Sequence, residues 1–132
     1  MGFLLYDGGA RYRFDDRTLA HLKIAITSKL RLQEGFLLSW RVPADEGSGR
    51  VSIWLSPFIP LQFIFNEPTP PQLNRTWLEA LARSSHGLRG MAVLSEDEAE
   101  IVGEGDPIDP EVQKRIQEAL DEVIAPLPPR EV

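Results

Sequence analysis

The sequence predicts an α+β fold: a mostly antiparallel sheet in the order ββ-α-βββ-α-β, with helices on one face, plus a C-terminal amphipathic helix. Three observations predict it. Short segments with two-residue alternation recur up to about residue 65, and two longer segments carry apolar residues at helical spacing. A third helical pattern follows an acidic stretch near the end of the chain.

Residues 3–6 read as a short apolar strand. Asp7-Gly8-Gly9 is turn chemistry, and residues 10–14 return as a second strand. Arg11 and Arg13 lie on one of its faces, Tyr12 and Phe14 on the other. Asp15 or Asp16 caps a helix over 17–33, where Leu19, Leu22, Ile26 and Leu30 recur at steps of three and four and face the core. Between them stand Arg17, His21, Lys23, Lys29 and Arg31, and no acid appears before Glu34, so this helix is unusually basic. Gly35 ends it.

Residues 36–42 form a strand with Phe36, Leu38 and Trp40 on one side and Arg41 on the other. A polar loop spans 43–49. Residues 50–56 are the cleanest strand: Val51, Ile53 and Leu55 alternate with Arg50, Ser52 and Trp54. Pro57 and Pro60 bracket a bend, and 61–65 give a further strand. Pro68, Pro70 and Pro71 lead into a second helix over 72–83, with Leu73, Trp77 and Leu81 in a row. A loop over 84–90 precedes a last short strand over 91–94.

Charge divides the chain. Residues 1–94 hold 11 Lys/Arg against 8 Asp/Glu, a net of +3, whereas 95–132 hold 3 against 12, a net of −9. This sets the expected organisation: a compact α+β domain over 1–94, an acidic linker over 95–109, and a C-terminal amphipathic helix with a proline-rich end over 110–132. Asp109 and Pro110 are a cap and a first-turn proline. Val112, Ile116, Leu120, Val123 and Ile124 form one apolar stripe. So short a helix is marginal alone, and its stripe must dock on its own body, on another protein or on a second copy.

Composition excludes several classes. With no cysteine there is no disulfide, thiolate metal site or cysteine nucleophile, which fits a reducing cytoplasm. The first residues lack the basic and apolar regions of a signal peptide, and no apolar run is long enough to span a membrane, so a cytoplasmic protein without membrane contact is expected. Enzyme signals are poor. His21 reads as a surface residue and His86 as a loop residue, and neither has a nucleophile or ligand set at the required spacing. The glycine pattern of a phosphate loop is absent, and Gly103-Glu104-Gly105 is too acidic for one. A non-enzymatic protein without a cofactor or a metal is expected.

What remains is a surface. If the sheet buries its aromatic face, the other face carries Arg11, Arg13, Arg41, Arg50 and Trp54. Arginine pairs with phosphate in a bidentate fork, and an exposed tryptophan stacks a base. Lys23, Lys29 and Arg31 of the basic helix add to the charge. This points to nucleic acid, with the acidic tail moderating the contact. The alternative is a protein-interaction or assembly module that forms a homodimer, or docks on a partner, through Val112, Ile116, Leu120 and Val123.

The segments DDRTLAHLKIAITSKLR (15–31), FLLSW (36–40), GSGRVSIWLSPFIPLQFIF (47–65) and LNRTWLEAL (73–81) resemble a family of small, uncharacterised proteins common in actinobacteria and some of their phages. The resemblance covers most of residues 1–94. Members often carry the label "ATP-dependent DNA ligase", which implies a DNA-related context. A ligase of that kind takes its adenylate on the lysine of a K-x-D-G motif. Here Lys23, Lys29 and Lys114 are followed by Ile-Ala-Ile, Leu-Arg-Leu and Arg-Ile-Gln, so the residues do not support that activity. The tail from about residue 95 lies outside the resemblance.

Overall fold

The apolar β1 (Gly2–Tyr6) and the alternating β2 (Ala10–Phe14) pair as an antiparallel hairpin, with Leu4 opposite Tyr12. The computed structural model describes residues 1–85, 90–102 and 108–122, and over these the chain is α+β. Asp15 caps α1 (Asp16–Leu30), its carboxylate accepting from the Thr18 N–H at 3.1 Å. β3 (Phe36–Arg41) and β4 (Arg50–Leu55) pair antiparallel around a single 3₁₀ turn at Ala44–Glu46. β5 (Leu61–Ile64), α2 (Arg75–Ser84), β6 (Met91–Ala92), α3 (Glu96–Val102) and α4 (Pro110–Glu122) complete the described elements.

The strands do not join one sheet, as the sequence leads one to expect. They form two of three strands each, ordered β2-β1-β5 and β4-β3-β6. After β4 the chain turns through Pro57 and Pro60, and β5 pairs with β1 rather than β4. β6 lies parallel to β3. Gly90 permits that approach, because with φ +76° a Cβ there would stand 2.2 Å from the Leu37 carbonyl oxygen.

Both sheets turn their aromatic faces into one core. Tyr12 and Phe14 meet the Trp40 ring edge-on at 5.1 and 5.2 Å between centroids, and Tyr6 donates its hydroxyl to the Trp54 carbonyl at 2.7 Å. Leu19, Leu22, Ala25 and Ile26 of α1 and Trp77, Ala80 and Leu81 of α2 close this core. The opposite side of the helix pair forms a second cluster. There Leu78 and Ala82 pack against Ile108, Val112 and Ile116, with Ile24, Leu32 and Leu120 alongside. The apolar stripe of α4 is therefore used on the chain's own body. Val123, His86 and the Gly103-Glu104-Gly105 stretch lie outside the described residues.

The stretch expected as an acidic linker contains α3. Ser95 and Glu98 form a reciprocal capping box: Ser95 Oγ accepts from the Glu98 N–H at 3.1 Å, and the Ser95 N–H reaches Glu98 Oε1 at 3.4 Å. Ala99 is buried in the main core. Arg17 ties α3 down with a two-pronged pair to Glu96, at 2.5 and 3.4 Å, and also donates to the Gln72 carbonyl. Asn74 caps α2 through Oδ1, which accepts from the Trp77 N–H, and its Nδ2 donates to Glu96 at 2.9 Å.

His21 sits beneath this junction and is fully buried, not on the surface. Its ring stacks on Trp77 at 4.1 Å. The Asn74 N–H donates to Nε2 at 2.8 Å, so Nδ1 must carry the proton that it gives to the Arg17 carbonyl at 2.7 Å. Burial pushes the His21 pKa down, helped by the nearby Arg17 charge. The hydrogen bond from Arg17 holds Glu96 below its ordinary range, and backbone N–H groups of Glu67 and Asn66 do the same for Asp16.

Two outcomes follow for stability. Ile116→Ala removes a fully buried side chain and is expected to cost about 2–4 kcal/mol, seen as a lower urea midpoint at unchanged mass by light scattering. A drop in mass instead would assign the stripe to a second copy. Stability is also expected to fall as pH drops below about 6.5, the ordinary His value, because the unfolded chain then binds a proton that the native ring refuses. Its slope is at most about 1.4 kcal/mol per pH unit. Glu96 and Asp16 add to the loss below about 4.5 and 3.8, as pH falls through their lowered native values. Urea midpoints from about pH 7.5 down to about 3 check this, and His21→Gln should remove the upper part of the decline.

Candidate functional site

The strict alternation of β3 and β4 decides which side chains leave the core. Phe36, Leu38, Trp40, Val51, Ile53 and Leu55 point inward, and the cross-strand pairs Leu37–Trp54, Ser39–Ser52 and Arg41–Arg50 point outward. Ser39 and Ser52 join hydroxyls at 2.8 Å. Arg41 stands directly opposite Arg50, both exposed, and among the described residues no carboxylate lies within ion-pair distance of either. Like charges directly opposite each other destabilise a sheet. Among the described residues, the pair therefore presents two positive charges to solvent without a counter-ion.

Trp54 closes the other end of the row, 52 % exposed. Its indole lies against Gly35, where a Cβ would come within 2.5 Å of Cζ2. α1 ends at Leu30 with Arg31 as its C-cap, so Gly35 does not terminate the helix as the sequence suggests; it makes the seat on which this ring rests.

Arg11 and Arg13 belong to the other sheet. Arg11 lies over the Phe3 ring at 4.3 Å, and Arg13 makes a loose pair with Glu46 at 3.8 Å. The two sheets nevertheless bring them toward Arg41. An open cleft of about 460 Å³ between the sheets is lined by Arg11, Arg13 and Arg41 above Tyr12 and Trp40. Its volume suits a small ligand or one unit of a polymer. Asp15, Glu46 and Glu98 also line it, so carboxylates balance part of the arginine charge. Glu98 comes from α3, within the acidic segment, and sequence reasoning misses its place here. The S-x-x-E spacing of Ser95 and Glu98 is the signal that could have found it.

The basic helix contributes less than its composition promises. Lys29 is buried, with Nζ 2.7 Å from Glu34 Oε2, and so leaves the surface patch. Lys23 is exposed with its ammonium 5.8 Å from the Phe65 ring centre, and Arg31 is exposed at the end of α1. Neither lines the inter-sheet cleft. Of the residues expected on an interaction helix, Val112 and Ile116 are buried and Leu120 is half-buried against the same cluster. A partner could reach that stripe only by displacing α4 from α1 and α2.

Among the described residues, no three His, Cys, Asp or Glu side chains come together as metal ligands, and no helix is long and apolar enough to cross a membrane. No curated protein and no solved structure matches the chain. Residues 1–96 match the model of a family described as "Domain of unknown function (DUF7882)", a match that takes in both sheets, α1 and α2 and stops at the first residue of α3. The chain belongs to this family.

Proposed function

We propose that the protein is a non-enzymatic binding module of the cytoplasm that contacts nucleic acid through the outer face of β3 and β4 and the adjoining cleft. The observation that carries this reading is the pair Arg41 and Arg50, held opposite each other with no carboxylate among the described residues in ion-pair distance. Phosphates supply the missing negative charge, and Arg11 and Arg13 reach the same ligand from the cleft rim. The acidic tail moderates the contact at its first helix, because Glu98 lines the cleft that the arginines share. An incoming phosphate competes with that carboxylate.

Deleting the tail is a poor test, since it uncovers Leu78 and Ala82. Point charges are cleaner. Arg41→Ser with Arg50→Ser is expected to weaken binding of a short oligonucleotide at low salt by roughly tenfold or more, and to lower the salt dependence by about two units of slope. Thermal stability should stay level or rise, because a repulsive pair is removed. Glu98→Gln should tighten binding. Wild-type protein that binds no oligonucleotide at low salt contradicts the proposal.

A further inference from the structure

We infer that the ligand is single-stranded nucleic acid, lying along the outer row of β3 and β4 with a base on Trp54 and its phosphates on Arg41 and Arg50. This rests on the nucleic-acid reading above and names the form of the ligand. Trp54 and Arg50 lie on one face of β4 four residues apart, about 14 Å at the rise of an antiparallel strand. The hydroxyl pair of Ser39 and Ser52 lies between them and carries no charge. An extended strand of a few nucleotides spans this row from one end to the other.

The chemistry at the two ends differs in a way that fits one strand and not two. A half-exposed indole binds a base by its face, and in a duplex those faces are already stacked on neighbours. A duplex would engage the arginines and leave Trp54 idle. Reading a duplex groove also calls for an exposed helix or ribbon that enters it. α1, the most basic helix, packs against α2 and α4, with Lys29 buried and Arg17 paired to Glu96, which leaves only Lys23 and, just past its end, Arg31 exposed. Gly35 sets where the ring lies, since a Cβ there would stand 2.5 Å from the Trp54 ring and displace it. It acts as a positioning residue for Trp54.

The test uses the full chain at low salt, titrated with a dT oligomer, a U oligomer and a duplex of equal length, with tryptophan emission and anisotropy read together. Trp77 is buried, whereas Trp40 is half-buried and floors the cleft, so the part of the quench that reports on Trp54 is the part that Trp54→Ala removes. The single strands are expected to quench emission and to bind more tightly than the duplex. Trp54→Ala should lose the quench and roughly tenfold in affinity for single strands only. Gly35→Ala, which changes no charge and pushes the Trp54 ring from its seat, should lose part of both. Circular dichroism confirms that each variant is folded. Equal or tighter duplex binding with Trp54→Ala silent overturns the single-strand inference and leaves the broader reading standing. If no nucleic acid binds at all, both fall. A preference between the dT and U oligomers identifies DNA or RNA as the source of the strand.

Discussion

The contact of Tyr12 and Phe14 with Trp40 is what the rest of the structure depends on. Neither three-stranded sheet is large enough to be secure alone, and each needs an apolar layer against its inner face. Trp40 supplies that layer to β2 from across the gap, and Tyr6 fixes the backbone of β4 at Trp54. Once the sheets are joined this way, the cleft between them exists, and Arg11, Arg13 and Arg41 come to its rim from separate strands. The core and the candidate site are thus two sides of one contact.

Charge follows a similar logic of position over composition. The chain has a net charge of −6, yet Arg41 and Arg50 stand opposite each other with no carboxylate among the described residues in ion-pair distance. Lys29 is spent on Glu34 and Arg17 on Glu96, so cations that look available in the sequence serve the fold. The carboxylates of α3 divide their labour. Glu96 holds the helix to Arg17 and Asn74, and Glu98 stands in the cleft. Fixing the first positions the second.

Much of the fold was legible because alternation and helical spacing are local signals. Alternation places Trp54 and Arg50 on one face and Val51, Ile53 and Leu55 on the other, but which of the two is buried is fixed by the packing of Ile53 and Leu55 in the core. Strand pairing was not legible: Leu61 and Phe63 alternate in the same way whether β5 joins β1 or β4, and the pairing with β1 is a long-range choice that local alternation does not carry. His21 misleads because it lies off the leucine stripe of α1. That helix is covered on a second side, where Trp77 and the start of α2 meet it. Acidity over 95–109 masks a helix whose capping box stands in plain letters at Ser95 and Glu98. The gathering of three arginines at one cleft depends on how two sheets meet, and no local pattern carries that.

The central claim concerns one face of the molecule, and it is tested most directly by mapping backbone amide shifts of the full isotope-labelled protein while a short single-stranded oligonucleotide is added. The account predicts shifts concentrated on β3, β4 and the β2 edge of the cleft, saturating together, with α4 unmoved. Shifts confined to α4 and its seat on α1 and α2, or none at ligand excess in low salt, would contradict it.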